Sequence, residues 1–380
     1  MAQPSIWELE SFYAPKDVII AGSGLAGLWS AYYLKKFHPS LKILIIEKGI
    51  IPSGASTRNA GFACFGSVTE LMEDAKSMGR QKMLELLTMR YEGIKRIRKI
   101  IPGKDIDFER YGGYELINGQ QYSNTSQLQD DVDWLNDCLR KVVGQKKTFS
   151  LAKKKIKKFG FRQTTHLIEN KMEGQLHSGK MVQQLLRKLQ SMDVTIMTGV
   201  ALKAFEEAGN RLLLHTGLQT FLTTKQLLIC TNAFARELLP GTDIIPARGQ
   251  VLVTSAIKDL PFRGTFHYDA GYYYFRNLGN KILLGGARNK AFQEEQTHEL
   301  ATSNTVQHEL ERFLREIIIP GKKFTIENRW SGIMGMGSNK FPTIKQVENQ
   351  CFCAIGMGGM GVALAPVVGE KTARLMLNRD

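Results

Sequence analysis

Three glycines in one short stretch, Gly22, Gly24 and Gly27 of DVIIAGSGLAGLWSAYYLKK (residues 17–36), stand in the order G-x-G-x-x-G, with Ser23, Leu25 and Ala26 between them. Glycine lets the backbone turn tightly and approach a ligand closely, and the helix that follows offers free N–H groups and its positive end to a phosphate. Twenty residues after Gly27 comes Glu47, with Lys48 beside it, at the end of the aliphatic run LKILIIEKG. A carboxylate at that place accepts hydrogen bonds from both ribose hydroxyls of an adenosine. The chemistry is dinucleotide binding. A nicotinamide and a flavin cofactor both carry the pyrophosphate, so this stretch leaves the choice open.

Two further clusters bear on that choice. In PSGASTRNAGFACFG (52–66), the run Gly54, Ala55, Ser56, Thr57, Arg58, Asn59, Ala60 and Gly61 supplies amides, hydroxyls and a guanidinium that can reach a pyrophosphate from the side opposite the glycine turn. A nicotinamide domain has no need of this. In GMGGMGVALAPVVGEKTARLML, Gly356, Met357, Gly358, Gly359, Met360 and Gly361 precede a helix predicted to begin near Val362. Open amides at a second helix N-terminus can stabilise negative charge on a ring system such as a reduced isoalloxazine. The competing reading is a plain turn leading into a helix. The buried strand QLLICTNAF delivers Thr231 and Asn232 to its C-terminal end.

The elements around these residues follow from periodicity. Residues 17–47 read as strand, helix, strand, a complete βαβ unit. Residues 69–100 read as one or two amphipathic helices, 127–143 and 180–192 as helices, VTIMTGV as a short strand and 211–230 as a hairpin. A β-rich block over RGQVLVTSA, FHYDAGYYYFRN and NKILLGGARN precedes a charged helix at 296–317. Period-two alternation in GYYYFRN puts Tyr272, Tyr274 and Arg276 on one face and Tyr273 and Phe275 on the other.

With 380 residues the chain exceeds the ~250–300 at which one core stops growing, so two associated domains are expected. Hydrophobic residues at 43% and charged ones at 23% fit a soluble globular composition. No apolar run approaches the ~20 residues of a membrane span, and the start MAQPSIWELESF has no signal pattern, so the expectation is a cytoplasmic protein. Cys64, Cys138, Cys230, Cys351 and Cys353 read as free thiols, and the Cys351-x-Cys353 pair should share one strand face; no metal site is expected. The net charge of +15 is densest in KKTFSLAKKKIKKFG (146–160) and reads first as a solvated face, with nucleic acid, a membrane surface or an acidic substrate as the other possibilities.

The fingerprint, GASTRNAG, GQLHSGKMVQQLL, TGV, TNAF, PARGQ, ILLGGAR, RWSGIMGMGSNKFPTI and GMGGMGVALAPVVGE together resemble the D-amino-acid oxidase superfamily of flavoproteins over residues 17 to about 375. Within it the chain looks most like the gamma-glutamylputrescine oxidase, sarcosine oxidase and D-amino-acid dehydrogenase members. The resemblance implies an α/β (α+β mixed) fold: a Rossmann-like FAD-binding domain interwoven with a substrate domain on a mixed, largely antiparallel β-sheet. The expected boundaries are 15–80, 150–245 and 325–380 for the FAD domain, and 81–149 and 246–324 for the substrate domain. It further implies that Val200 makes backbone hydrogen bonds to adenine, that Trp330 and Gly332 join the cofactor-binding set, and that the amides of Gly358 to Val362 face the isoalloxazine. SGIMGMGSNKF lacks a cysteine, so the FAD is expected to be non-covalent.

The implied activity is oxidation of the C–N bond of an amine or amino acid by hydride transfer to flavin N5, giving an imine that hydrolyses. Pocket candidates are Tyr272, Tyr274, Arg248 and Arg288, the arginines as carboxylate partners, while His177 and His267 read as structural. Relatives acting on simple amino acids tend to carry an arginine where NRWSGIM here places Trp330, with Arg329 one step away, which puts such a substrate in doubt. Leu283 stands where sarcosine-oxidase-like enzymes have a lysine that promotes reaction with oxygen, so oxygen or a quinone remains open as electron acceptor. The alternative is a tRNA-modifying relative acting on a wobble uridine, which the charge would suit.

Overall fold

The computed structural model describes residues 3–122, 124–218 and 220–379. In chain order these form α1 (Ile6–Glu10), β1 (Lys16–Ala21), α2 (Leu25–Phe37), β2 (Ile43–Glu47), α3 (Ala55–Arg58), β3 (Phe62–Ala63), α4 (Val68–Met78) and α5 (Arg80–Ile100). Then come β4 (Gly113–Ile117), α6 (Thr125–Val143), β5 (Phe149–Leu151), α7 (Lys153–Phe159), β6 (His166–Asn170), β7 (Gly174–Gln175), α8 (Ser178–Gln190), β8 (Val194–Thr198), β9 (Ala204–Ala208), β10 (Arg211–His215) and β11 (Leu222–Ile229). The last part holds β12 (Ile245–Thr254), β13 (Thr265–Tyr268), β14 (Tyr273–Leu278), β15 (Lys281–Gly286), α9 (Asn304–Phe313), β16 (Ile326–Met336), β17 (Thr343–Glu348), β18 (Cys351–Ile355) and α10 (Gly361–Met376).

The first sheet runs β17-β18-β11-β1-β2-β8, with β10 and β9 continuing from β11. Its centre is parallel: β1 lies between β2 and β11, and β11 pairs with β18. Such strands are covered on both faces, which is why VII and ILII are unbroken aliphatic runs. Helices α2 and α10 pack together where Gly369 lets them: a side chain there would begin 2.5 Å from the Trp29 backbone.

The second sheet runs β16-β12-β15-β14-β13-β4-β6-β5, antiparallel throughout except where β13 meets β4. One face buries an aromatic core that includes Phe159, Phe161, Phe262, Phe266, Tyr273, Phe275 and Phe313. The other face looks toward the glycine turns. The mixed α/β class with a mixed, largely antiparallel second sheet is therefore the observed fold.

The sheets divide the chain at points other than the expected boundaries. β5, β6 and β16, from the 150–245 and 325–380 stretches or their edge, pair into the second sheet, because β6 registers with β4 and β16 runs the length of β12. Conversely α5, inside 81–149, buries Leu86, Leu87, Ile94 and Ile97 in the core of the first sheet. Residues 69–100 form two helices, parted at Gly79 with φ +86°. The charged helix predicted at 296–317 is confined to 304–313 with a π turn after it, because Ser303 caps it by accepting from the Val306 N–H. Cys351 and Cys353 share one buried cluster, and all five cysteines are free. Among the described residues no helix is long and apolar enough to cross a membrane.

Candidate functional site

The first glycine turn is built by contact. Gly22 has φ +107°, and a Cβ on it would lie 2.8 Å from the Cys230 carbonyl oxygen; a Cβ on Gly27 would lie 2.1 Å from the Gly22 oxygen. Gly24, in the N-cap position of α2, brings no capping side chain. The first-turn amides of α2 thus point past β1 with nothing of the turn in the way. Ser56 Oγ accepts from the Leu25 N–H at 2.9 Å and so ties the 52–61 segment to this turn. Glu47 is fixed beside it: Oε2 accepts from the Ser23 N–H (3.0 Å) and Oγ (2.8 Å), and Oε1 from the Gly49 N–H (3.0 Å). The Val200 N–H is committed to the Glu47 carbonyl at 2.8 Å, which places Val200 at the ribose end and spends the donor expected for adenine. The Lys48 ammonium sits 3.7 Å over the Phe234 ring, close to the turn that holds Thr231 and Asn232.

The 52–61 segment is locked from several sides. Thr57 Oγ1 donates to the Pro52 carbonyl, and Asn59 donates to the Ala55 and Ser56 carbonyls while its Oδ1 accepts from the Gly61 N–H and Ser178 Oγ. Arg58 donates to the carbonyls of Ser53 (2.9 Å) and Ser331 (3.0 Å), and Trp330 Nε1 donates to the Arg58 carbonyl at 2.9 Å. Gly332 lets this contact close, since a Cβ there would meet Arg58 Cβ at 3.0 Å. Arg58, Trp330 and Gly332 are therefore brought together, with the guanidinium spent on positioning the loop. On the far side Asn232, at φ +49°, accepts from the Gly356 N–H, and the Gly358 N–H donates to the Gly335 carbonyl. Met357, Gly359 and Met360 complete the turn into α10, whose N-terminus has no side-chain cap and begins at Gly361 and Val362.

Above these turns the second sheet presents a row of residues set by register. Trp330, Val251, Gly285, Tyr274, His267, Glu115 and Ile168 stand opposite one another across successive strands. The neighbouring row is Val253, Leu283, Arg276, Thr265, Gly113 and Asn170. Strand alternation puts both rows on one face. That face packs against Ala60 and Phe62, with Val251, Val253, Leu283, Tyr274 and Trp330 in one cluster. The Tyr274 ring lies over Gly285, where a Cβ would come within 2.5 Å of it, and burial pushes its hydroxyl up to about 12. Arg276 is buried, its Nε meets no protein acceptor, and burial brings its guanidinium down to about 10.

The pocket candidates separate accordingly. Arg288, half-buried, follows β15 and stacks 4.8 Å from the Phe292 ring; burial lowers its pKa, against the pull of Tyr272, Glu295 and Tyr274. Among the described residues no carboxylate lies within ion-pair distance of it. Tyr272 is more exposed and stands edge-on to Phe292 at 5.8 Å. Arg248 is not brought to this group. It lies on the opposite face and forms two hydrogen bonds with buried Glu295, at 3.0 and 2.7 Å. Arg329 likewise pairs with Glu311 at 2.6 Å. Arg276, which alternation sets on the Tyr274 face, and His267, which reads from sequence as structural, both lie on the site face with Tyr274, and Phe62 of β3, which the sequence did not single out, packs against it. Period-two alternation along GYYYFRN was the signal for Arg276, and only the register of β13 on β14 aligns His267 with Tyr274.

A parallel βαβ unit with a glycine turn and a fixed ribose acid, faced by a second, uncapped glycine-rich helix start, defines a flavin-dinucleotide-binding enzyme. The model of the FAD dependent oxidoreductase (DAO) family matches residues 17–375, and the chain belongs to that family. It is an FAD-dependent oxidoreductase. Over 44 residues it is 50% identical to the thiamine thiazole synthase of Yarrowia lipolytica, a match covering 12% of this chain and only 14% of that protein. Probable oxidoreductase OrdL of Haemophilus influenzae is 21% identical across 96% of this chain and 83% of its own. Among solved structures, L-proline dehydrogenase from P. horikoshii superposes with a TM-score of 0.77 at 17% identity, covering 96% of this chain and 94% of that one. Glycine oxidase from Geobacillus kaustophilus gives 0.74 at 18%, covering 96% and 95%. The residues present fit FAD: Gly22 and Gly27 let the turn close against the Cys230 carbonyl and α2 approach the turn, which leaves the start of α2 bare of side chains, and Thr231 Oγ1 is a buried polar atom without a protein partner beside it.

Proposed function

We propose that the protein oxidises the C–N bond of an amine that carries a carboxylate, an amino acid or N-substituted amino acid. The observation that carries this reading is Arg288, half-buried near Tyr272 and Tyr274, which makes no direct ion pair among the described residues: Glu295, the one acid acting on it, is hydrogen-bonded to Arg248. A second guanidinium, Arg276, lies on the same face. Two such cations disfavour a polycationic amine and favour an anion. The names of the proline dehydrogenase and glycine oxidase that share this fold support the same class.

Bound FAD supplies the two-electron acceptor for the carbon next to the nitrogen. The chain's part is positioning. Arg288 binds the carboxylate, and the Tyr274 hydroxyl, which keeps its proton well beyond neutral pH, offers a hydrogen bond to the substrate. Val251, Val253, Leu283 and Trp330 keep water from that face. The Glu47 carboxylate and the Gly359, Gly361 and Val362 amides hold the cofactor from its ribose and ring ends, the Gly358 and Met360 amides being committed to the Gly335 and Met357 carbonyls, and the N-terminus of α10 opposes negative charge there.

The test is anaerobic bleaching of the flavin band by amino acids and by the matching amines without a carboxylate. Carboxylate-bearing substrates should bleach it; equal rates with the bare amines would refute the reading. Readmitting air then distinguishes oxygen from a quinone as acceptor.

A further inference from the structure

Beneath the His267 end of the substrate row the second sheet encloses a cavity of about 10 Å³, bordered by Ser67, Gly113, Glu115, Asn170, Glu173 and His267. Three of these residues bring a buried, under-bonded polar atom to it: Asn170 Nδ2 and His267 Nε2, which have no protein partner, and Ser67 Oγ, which is close enough to Glu115 to act on its carboxylate but makes no hydrogen bond of good geometry. Three such groups around one small space are rare in folded proteins unless something bonds them. A space of roughly this size with two to four polar neighbours is what one water molecule requires.

The two acids on the wall differ in their duties. Glu115 accepts from the Thr69 N–H at 3.2 Å and from the Thr69 hydroxyl, so it holds the start of α4. Glu173 accepts from the Phe65 N–H at 3.0 Å through Oε1, while Oε2 fills the space that a side chain on Gly113 would need, 2.0 Å from the Cβ position. The charges around Glu173 are Glu70 on α4 and Glu115 on β4, with Cys64 and His267 near by. The cations are already used: Arg90 of α5 pairs with Glu70 at 3.0 Å, and Lys340 with Glu70 and Asp74. Burial accordingly pushes Glu173 up to about 8, against the pull of the Phe65 and Gly66 amides, and burial takes His267 down to about 4. At neutral pH the chamber therefore holds a carboxyl that can donate and an uncharged imidazole.

We propose that this chamber binds a single water molecule, held by Ser67, Asn170, His267 and the Glu173 carboxyl, and that the water fixes the His267 ring in the substrate face. The ring stands edge-on to Phe62 at 5.3 Å, and Phe62 stands edge-on to Tyr274 at 5.9 Å, so its orientation is passed on to the tyrosine. Glu173 and His267 are positioning residues, and their effect on substrate rests on the reading of that face given above.

The first test is a crystal structure of the FAD-loaded protein with resolved waters. One ordered water within hydrogen-bonding distance of Ser67 Oγ, Asn170 Nδ2 and His267 Nε2 is expected, and a dry chamber overturns the proposal whatever the substrate proves to be. The second is infrared titration of the wild type: a buried carboxylic C=O band should disappear as the pH passes about 8 and be missing in Glu173→Gln. A band unchanged by that substitution overturns the assignment to Glu173. For the positioning role, Glu173→Gln should keep the substrate KM, and Glu173→Leu should raise it several-fold with FAD content unchanged. An unchanged KM in folded Glu173→Leu overturns that role, and if this variant does not fold, the water and the infrared band in the wild type still decide the site.

Discussion

Replacing Gly27 with alanine tests whether the glycine turn is there for close approach. The added methyl would lie 2.1 Å from the Gly22 oxygen and 3.2 Å from Ile20 Cγ2, whereas Cβ contacts under 3.0 Å are essentially never seen. The neighbour is backbone and has no rotamer to yield, so α2 must withdraw by about 0.9 Å, the difference of 3.0 and 2.1. Such overpacking costs about 1–3 kcal/mol in stability. The same movement draws the first-turn amides from the pyrophosphate, and one hydrogen bond to a charged group is worth about 1.5–3 kcal/mol, or roughly 10- to 150-fold in the FAD dissociation constant. Titration of apoprotein with FAD measures the second effect, and urea unfolding without FAD the first. Gly241→Ala is the control: nothing lies within 4 Å of its Cβ position, and a change within about 0.5 kcal/mol is expected. Gly27→Ala binding FAD as tightly as the wild type would refute the claim that helix and turn must touch.

The remaining predictions concern the second sheet. Arg288→Leu should lower kcat/KM for a carboxylate-bearing substrate by roughly 10- to 150-fold, leave FAD content unchanged and have little effect on the methyl ester of that substrate. Tyr274→Phe should cost about fivefold in kcat/KM, one ordinary hydrogen bond, without altering the rate profile below pH 10, because burial holds the hydroxyl protonated up to about 12. Glu295→Leu should destabilise the fold by about 3 kcal/mol by leaving buried Arg248 only its long 3.7 Å contact with Glu294, and Arg248→Met combined with it should recover most of that in urea unfolding. For Glu173 the folded value near 8 exceeds the ordinary 4.5, so its contribution to stability is intact below pH 4.5 and is lost as pH rises through about 8. The wild-type urea midpoint should therefore fall across that window relative to Glu173→Gln, at up to roughly 1.4 kcal/mol per pH unit, and parallel curves would contradict it.

What could be read from the chain depended on how far apart the interacting residues lie. The glycine turn, Glu47 and the start of α10 work through backbone amides within one segment, so their types and spacing carried the information. Even there, Arg58 looked like a phosphate ligand and proves to hold two carbonyls, one of them that of Ser331, 273 positions further along the chain. The substrate row is harder. It joins β16, β12, β15, β14, β13 and β4, and a slip of one residue in any pairing would exchange its members for those of the aromatic core. Alternation correctly parted Tyr274 from Tyr273, but it could not say that Arg248 shares the core side with Gln250, where Glu295 waits to pair with it. The sheet that β5, β6 and β16 join is hard to read for the same reason, since it is set by partners remote in sequence.

This difference in range bears on how specificity can change. The groups proposed to hold the cofactor are fixed in place by their surroundings: Gly22 and Gly27 have no room for any side chain, and Glu47 is anchored by three hydrogen bonds. The substrate face is instead a set of side chains on strands whose backbones are paired irrespective of what those side chains are. A replacement at Tyr274, Leu283 or Arg288 alters the proposed substrate face while leaving the ladder, the glycine turns and the 52–61 lock intact. FAD content and substrate choice should therefore respond to separate sets of substitutions. The link between them is the Ala60–Phe62 segment, which touches both: Trp330 and Arg58 tie it to the cofactor side, and Phe62 meets His267 and Tyr274 on the other. Phe62→Ala is the substitution for which the two effects should not separate. It opens the cluster around Val251 and Leu283 to water and frees the Tyr274 ring, so FAD affinity and substrate KM should both weaken; a change in one alone would place the division between the two halves of the site elsewhere.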